Sequence, residues 1–230
     1  MAESDRSYIK SVNLGEKVVA NRLRGYLPSR ILYFLLNLHT VRRDIYLTRH
    51  GESVYNLENR IGSDPPLSER GFEYARALAR FFEGPKQPNV YTSTRQRTIQ
   101  TAAFLGVEPE PLGALDEIDA GLCEGLTYEE IADRFPAEAA ARAADKLGYR
   151  YPQGESYVDV IRRLEPAIIE IERQTEDVLV IGHQAINRAL YGYFLEKPTT
   201  RIPHLDMPLH TVVRLRPDGY GWLEDRFPLL

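Results

Sequence analysis

Short apolar runs alternate with helix-like periods along the chain from Asp44 onward. The runs at 45–47, 90–93, 178–181 and 211–215 are rich in β-branched and aromatic residues, which predicts strands. The run at 178–181 is apolar throughout, as is typical of a central strand that is buried on both faces. We therefore expect a sheet built from short, well-separated strands.

Between these runs, apolar residues recur at helical spacing. The predicted helices, in chain order, begin after Ser68, cover 94–105, run from Thr127 to Pro136, cover 156–173 and cover 184–195. Ser68 and Thr127 are predicted N-caps, and Glu130 completes a capping-box pattern with Thr127. Gly106 stops the second helix, and Pro166 kinks the fourth. The alternation predicts an α/β fold, namely a three-layer α/β/α sandwich with a mainly parallel sheet.

A polar segment that carries histidine or arginine follows each of the first three predicted strands. In parallel sheets, ligands bind beyond the carboxyl ends of the strands. The four side chains expected to converge there are Arg49, His50, Arg97 and His183. Guanidinium groups match the geometry of phosphate oxygens, and imidazole can form a covalent intermediate. Since phosphoryl transfer needs mainly positioning and charge stabilisation, this group predicts phosphate chemistry with His50 as the nucleophile.

Such chemistry also needs an acid to protonate the leaving oxygen. The loop at 115–121 offers Asp116, Glu117 and Asp119. A carboxyl group beside a bound phosphate retains a proton more readily because of the like charge. By themselves the residues leave the choice among the three open.

Composition narrows the class of protein. The 230 residues are 43% hydrophobic and 27% charged, which is ordinary for a globular chain. The formal charge of -4 argues against a nonspecific nucleic-acid binder. A single cysteine, Cys123, excludes an internal disulfide and cysteine-rich zinc sites. The beginning of the chain lacks a signal-peptide core and the apolar run at 31–38 is too short to cross a bilayer, so we expect a cytoplasmic protein without a membrane partner.

The segment Leu47-Thr48-Arg49-His50-Gly51-Glu52 resembles the signature of the histidine phosphatase superfamily, which has the phosphoglycerate-mutase-like fold. Further segments, in the same order, resemble the bisphosphatase half of the bifunctional 6-phosphofructo-2-kinase/fructose-2,6-bisphosphatase family. These segments are 60–62, 98–101, 117–121, 128–131, 149–152, 154–157, 183–185 and 208–212. The resemblance extends through nearly the whole chain.

The resemblance implies hydrolysis of the 2-phosphate of fructose 2,6-bisphosphate through a phosphohistidine at His50, without metal or cofactor. Glu117 would be the general acid and then the base. The transferred phosphoryl group would be held by Arg49, Arg97, His183, Asn56 and the backbone at Gly62. The 6-phosphate would be held by Tyr128, Arg142, Lys146, Tyr157, Gln184 and Arg188. Arg142, Lys146 and Arg150 also form a cationic run of the kind that a second phosphate needs.

Residues 1–43 resemble the end of the kinase half and its junction, whereas 44–230 correspond to the phosphatase domain. The chain contains no Gly-x-x-x-x-Gly-Lys-Ser/Thr motif, so we expect no kinase activity. The N-terminal segment is expected to pack on the phosphatase core as a helix and an edge strand. Two origins stay open: a natural short homologue, or one domain of a longer parent chain whose kinase domain is its partner.

Other functions stay open as well. The same pocket would suit a broad-specificity sugar-phosphate phosphomonoesterase, and less well a phosphoglycerate mutase or a non-catalytic sugar-phosphate sensor. For the outer residues, the structural alternative is a solvated helix face for the cationic run and surface aromatics for Tyr128 and Tyr157. His210 recurs in the family motif but receives no chemical role.

Overall fold

The computed structural model describes residues 6–12, 17–37, 42–218 and 221–230. Its strands are β1 (Tyr8–Val12), β2 (Lys17–Asn21), β3 (Ile45–Arg49), β4 (Asn89–Thr92), β5 (Glu110–Pro111), β6 (Val178–Gly182), β7 (Thr211–Pro217) and β8 (Trp222–Pro228). Its α-helices are α1 (Tyr26–Asn37), α2 (Val54–Leu57), α3 (Glu69–Phe81), α4 (Gln96–Ala102), α5 (Tyr128–Arg134), α6 (Pro136–Ala144), α7 (Tyr157–Arg163), α8 (Glu165–Arg173) and α9 (Gln184–Phe194).

Six strands form the main sheet, in the order β5-β4-β6-β3-β7-β8. β6 pairs in parallel with β3 and with β4, whereas β7 is antiparallel to both of its neighbours. The predicted α/β fold with a mainly parallel sheet is thereby confirmed. Arg49 pairs with Gly182 at the carboxyl ends of β3 and β6, so the next residues, His50 and His183, lie side by side.

Helices cover both faces of this sheet. Along β6, Val178 and Val180 pack into one core cluster with residues of α7, α8 and α9. Leu179 and Ile181 point to the other face and pack into a second cluster with residues of α3 and α4. Because alternate strand residues face opposite sides, a strand that is apolar at every position serves both layers. The three layers of the predicted sandwich are these two helix layers and the sheet.

Most of the predicted helix signals act as expected. The Ser68 hydroxyl caps α3 by accepting from Gly71 N, and Thr127 and Glu130 form the capping box of α5. Pro136 follows α5 and is also the first residue of α6, where its missing N–H has no consequence. The long helix predicted at 156–173 is interrupted at Leu164, between α7 and α8, close to Pro166.

Two elements differ from the expectations. Thr211–Pro217 is not the last strand, because β8 follows it and forms the outer edge of the sheet. The expected edge strand in the N-terminal segment is also wrong, since β1 and β2 pair with each other as a separate antiparallel hairpin. The expected helix is present: α1 packs against α8, where Arg30 forms an ion pair with Glu165. No helix in the described ranges is long and apolar enough to cross a membrane.

Candidate active site

His50 follows β3 and is held there by its own backbone, since His50 N donates to Gly182 O at 2.9 Å. Its Nδ1 lies 2.6 Å from Gly51 O. A carbonyl oxygen can only accept, so Nδ1 carries the proton and Nε2 carries the lone pair of the neutral ring. Burial, together with Arg97 and Arg49, lowers the pKa of His50 well below its usual value. The side chain is therefore a neutral imidazole whose free nitrogen is Nε2.

His183 follows β6 and is fully buried beside His50, with 5.1 Å between the two ring centroids. Its Nε2 lies 2.7 Å from the hydroxyl of Ser93, at the end of β4. Its Nδ1 is buried and has no hydrogen-bond partner within the described chain. Since a buried polar atom without a partner is costly, this nitrogen is suited to a ligand atom. Burial and the nearby Arg97 lower the pKa of His183 as well.

Two arginines supply positive charge to the histidine pair. Arg97, on α4, is 3% exposed and donates to Ser63 O at 2.8 Å. Arg49 donates to Met207 O at 3.3 Å, and its buried Nε has no partner within the described residues. Burial lowers the pKa of Arg49 to about 10, so both guanidinium groups remain charged near neutrality. Two cations beside two neutral histidines form a local field that favours an anion.

The three acidic candidates separate clearly in space. Glu117 lines the same cavity as His50, and its carboxylate lies at the N-terminus of α9, where Gln184 N donates to Oε2 at 3.0 Å. Asp116 instead accepts from Thr94 N at 2.8 Å, and Asp119 accepts from Gly121 N at 2.7 Å. Neither of these two lines the cavity.

Asn56 and Gly62 line the same cavity as His50. The Asn56 Oδ1 accepts from Ser53 N at 2.9 Å, which fixes the amide and leaves its Nδ2 for another acceptor. Gly62 has a φ of +72°, and a Cβ there would overlap the carboxylate of Glu124. That carboxylate also accepts from the amide of Ser63. Glycine is therefore required at this point of the cavity wall both by its left-handed backbone and by the adjacent carboxylate.

A second cationic group lines the cavity at α5, α6 and the loop that follows. Arg142 donates to Tyr151 OH at 2.8 Å and to Tyr128 OH at 3.1 Å, with its guanidinium 4.7 Å from the ring centroid of Tyr128. Lys146 is partly buried nearby. Burial, Arg188 and Arg142 lower the pKa of Lys146 to about 8. The site thus holds cations that repel one another until an anion is bound.

Arg188 lies between the two cationic groups. It donates to Leu205 O at 2.6 Å and to the buried Tyr157 OH at 3.3 Å. Its charge acts on both Arg49 and Lys146. Gln184, at the start of α9, lines the cavity as well.

Arg150 does not join this group. It is exposed and donates to Asp159 Oδ1 at 2.6 Å, so its charge is paired outside the cavity. Of the cationic run in the sequence, Arg142 and Lys146 line the cavity and Arg150 does not.

The cavity has a volume of about 500 Å³. Sequence reasoning assigned no role to several residues that line it: Ser53, Tyr55, Asn59, Arg60, Tyr149 and Tyr151. Three of them, Arg60, Tyr149 and Tyr151, lie in the segments 60–62 and 149–152 that resemble the bisphosphatase family. That resemblance was the signal in the sequence that could have identified them. Within the described ranges, no group of three His, Cys, Asp or Glu side chains is placed to hold a metal ion.

A sheet whose strand ends bring together two neutral histidines, two arginines and one carboxylate defines a phosphoryl-binding class of site. The model of the histidine phosphatase superfamily (branch 1) matches residues 45–228, so the chain belongs to that superfamily. A model of 6-phosphofructo-2-kinase matches residues 1–42.

Comparisons with individual proteins agree with this placement. Human 6-phosphofructo-2-kinase/fructose-2,6-bisphosphatase 4 is 53% identical over 221 residues, which cover 95% of this chain and 47% of that protein. The chain thus spans about half the length of the curated relatives it matches. Among solved structures, Bacillus stearothermophilus YhfR has a TM-score of 0.70 at 29% identity, over 79% of this chain and 94% of that chain. A mycobacterial glucosyl-3-phosphoglycerate phosphatase in complex with VO3 has a TM-score of 0.68 at 27% identity, over 81% of this chain and 98% of that chain.

Proposed function

We propose that this chain hydrolyses fructose 2,6-bisphosphate to fructose 6-phosphate and phosphate through a phosphohistidine at His50. The observation that carries the proposal is one cavity with two cationic groups, of which the first also holds a neutral imidazole with a free Nε2. A substrate with two phosphates matches this arrangement, whereas a simple monoester would leave the second group without a partner. The name of the 53% identical relatives, 6-phosphofructo-2-kinase/fructose-2,6-bisphosphatase, supports the same substrate.

In the first step, Nε2 of His50 attacks the phosphorus of the 2-phosphate. The new P–N bond forms as the bond from phosphorus to the sugar oxygen breaks. The electron pair stays on that oxygen, which takes a proton from Glu117. Arg49, Arg97 and His183 bind the transferring oxygens, with Asn56 Nδ2 and the backbone at Gly62 as further contacts. Positive charge placed before the reaction needs no reorganisation during it.

In the second step, Glu117 has become a carboxylate and accepts a proton from water. The water oxygen bonds to phosphorus as the P–N bond breaks, and the electron pair returns to Nε2 of His50. The products are phosphate and the regenerated neutral imidazole. The backbone donors at the start of α9 hold the carboxylate in the same position for both steps, because Gln184 N and Ala185 N bond to it at 3.0 and 3.2 Å.

The 6-phosphate would bind to Arg142, Lys146 and Arg188. Tyr128, Tyr157 and Gln184 line the same part of the cavity and would add hydrogen bonds. Because this phosphate does not react, its binding free energy orients the sugar and places the 2-phosphate beside His50.

We also propose that residues 1–43 are the end of a kinase half and that 44–230 are the phosphatase domain. The match of residues 1–42 to the kinase model and the contact of α1 with α8 support this division. A kinase domain in a longer parent chain is the partner it implies. An assay with ATP and fructose 6-phosphate should give no fructose 2,6-bisphosphate from this chain alone, and its formation would overturn this part.

The test of the main proposal uses three substrates: fructose 2,6-bisphosphate, 3-phosphoglycerate and an aryl phosphate. Phosphate release is measured together with acid-labile labelling of His50 from the 2-³²P bisphosphate. We expect both, with kcat/KM for the bisphosphate well above the other two. Equal rates on all three would indicate a broad phosphomonoesterase, and labelling without net release would indicate a mutase. Absence of labelling and release would leave a sensor, so each of these outcomes contradicts the proposal.

A further inference from the structure

His210 is a buried histidine that the proposed mechanism does not use. It lies just before β7, 5% exposed, with a left-handed φ of +57°. Its ring packs on Tyr74, with 4.9 Å between centroids and 33° between planes. Left-handed backbone is uncommon for residues other than glycine, so this backbone conformation at His210 is held at some cost in free energy.

The Nε2 atom of His210 accepts a hydrogen bond from Glu52 N at 3.1 Å. Glu52 N belongs to the same peptide group as Gly51 O, which accepts from His50 Nδ1 at 2.6 Å. One peptide group therefore connects the two rings in an unbroken chain of hydrogen bonds. His50 Nδ1–H donates to the carbonyl, and the N–H at the other end of that peptide donates to His210.

Other contacts fix the position of this turn but not the orientation of that one peptide plane. Gly51 N belongs to the preceding peptide and donates to Thr101 Oγ1 at 2.9 Å. Glu52 O belongs to the next peptide and accepts from Ser68 N at 2.8 Å. Among the described residues, the two histidines are the hydrogen-bond partners of the peptide group between Gly51 and Glu52.

We infer that His210 is a positioning residue for His50, acting through the peptide group between Gly51 and Glu52. The inference rests on the proposed function, in which His50 Nε2 is the nucleophile. By holding the N–H of the peptide, His210 fixes the carbonyl that keeps the proton of His50 on Nδ1. Without that restraint, His50 can take the other tautomer, in which Nε2 carries the proton and cannot attack phosphorus.

The chain of hydrogen bonds also acts during the reaction. When Nε2 bonds to phosphorus, the His50 ring gains positive charge and Nδ1–H becomes a stronger donor. Hydrogen bonds in a chain polarise one another, so a fixed acceptor at the far end stabilises that charge. His210 supplies this acceptor without touching the substrate.

This role requires that His210 be neutral, since a protonated Nε2 cannot accept from Glu52 N. Burial and then Arg70 lower the pKa of His210, while Glu52 opposes them and Arg49 adds to them. Tyr74, from α3, covers the ring. On balance, burial and the charged groups that face the ring favour the neutral imidazole, which is the form that can accept from Glu52 N.

The test compares two substitutions of similar length, His210→Gln and His210→Met. The glutamine carbonyl can accept from Glu52 N, whereas methionine cannot. For His210→Met we expect the single-turnover rate of His50 phosphorylation to fall about 10- to 100-fold, as for other residues that orient a reacting group indirectly, with little change in KM. His210→Gln should recover most of that loss. Thr101→Val, which releases the neighbouring peptide, should leave the His50 tautomer unchanged.

The His50 tautomer is read from ¹⁵N shifts of the imidazole nitrogens. We expect the Nδ1–H form in the wild type and in His210→Gln, and a mixture in His210→Met. Wild-type rate and tautomer in a folded His210→Met would overturn the inference. If that variant does not fold, the wild type still decides. We expect an NMR coupling across the hydrogen bond between Glu52 ¹⁵N and an unprotonated His210 Nε2, and its absence would overturn the inference. Failure of the proposed function looks different: the wild type would not be labelled at His50 at all.

Discussion

The two cationic groups of the cavity are built in different ways. The inner group, around His50 and His183, lies at the ends of central strands and is held mainly by backbone atoms and buried hydroxyls. The outer group, around Arg142 and Lys146, lies on α6 and the turn after it and is held by tyrosine hydroxyls and rings. Covalent chemistry needs fixed atoms, whereas recognition of an unreactive phosphate needs charge at an approximate distance. This difference predicts that substitutions in the inner group lower kcat, whereas substitutions in the outer group raise KM.

The largest effect is expected for His50→Ala, which removes the nucleophile. Activity toward fructose 2,6-bisphosphate should fall by about 10⁴-fold or more, the scale seen when a covalent catalyst is removed. The steady-state rate is measured beside His204→Ala, an exposed histidine on the 3-10 segment Thr199–His204. His204→Ala should behave as the wild type. Full activity in His50→Ala would contradict the proposal that the inner group carries out the covalent step.

Glu117→Gln is next, because glutamine has the same shape but cannot supply a proton. Its single amide oxygen can accept only part of the hydrogen bonds that the two carboxylate oxygens accept at the start of α9. We expect kcat to fall about 10²- to 10⁴-fold. Formation of the phosphohistidine from an aryl phosphate should be affected less, since a good leaving group needs little protonation. Asp116→Asn on the same loop is the matched control and should change kcat only slightly. Equal losses in both variants would contradict the assignment of Glu117.

Lys146→Met tests the outer group. The lost ion–phosphate contact should raise KM for the bisphosphate about 10- to 100-fold, the value of a charged hydrogen bond, with a smaller change in kcat. Hydrolysis of an aryl phosphate, which has no second phosphate, should be unchanged. Arg150→Met is the control, because Arg150 is paired with Asp159 outside the cavity. A larger KM effect at Arg150 than at Lys146 would contradict the position of the outer group.

The outer group should also respond to pH. Lys146 has a pKa of about 8 in the empty cavity, so it is cationic below that pH and loses its proton above it. A bound phosphate favours the cation, and the affinity for fructose 6-phosphate should therefore fall as pH rises from 8 to 9. Between the free and bound pKa values the fall approaches ten-fold per pH unit. Calorimetric titrations of the wild type should show this slope, and Lys146→Met should lack it.

The smallest effect is expected for Tyr151→Phe. Its hydroxyl orients Arg142 at 2.8 Å but has no direct part in the proposed chemistry. Loss of one such hydrogen bond is worth about 1 kcal/mol, which corresponds to a KM increase of about five-fold. We expect kcat to stay constant. A decrease in kcat without a change in KM would place Tyr151 in the inner group instead.

The same difference between the two groups explains which residues of the cavity could be predicted from the sequence. Strands β3, β4 and β6 are each followed by a polar segment that carries histidine or arginine, so the inner group follows from the strand pattern and the rule of carboxyl ends. The outer group depends on where the turn at 145–148 directs each cation, and no periodic pattern reports that. Arg150, which the sequence groups with Arg142 and Lys146, is paired with Asp159 outside the cavity lining. Strand β8 was missed because it is an edge strand that carries Glu224, Asp225 and Arg226.

His210 shows a further reason why local patterns are insufficient. Its contact with Glu52 N joins residues 158 positions apart. The contact is made to a backbone N–H, which nearly every residue has, so no pattern of side chains reports it. Similarly, the residues by themselves left Asp116, Glu117 and Asp119 as alternatives. Among these three, the carboxylate of Glu117 is the one that lies at the start of α9. These assignments need the three-dimensional arrangement.

The outer group rests on its own small core, made of Ala120, Cys123, Ile131 and Tyr151. This cluster is distinct from the two that cover the sheet. It is joined through Ile118 to the one that contains residues of α7, α8 and α9. A designer who wished to change the preferred sugar could therefore exchange residues 119–152 for the corresponding segment of another superfamily member. The graft would replace Tyr128, Arg142 and Lys146, which are part of the proposed 6-phosphate site, while the sheet, its two helix layers and the histidine pair kept their packing.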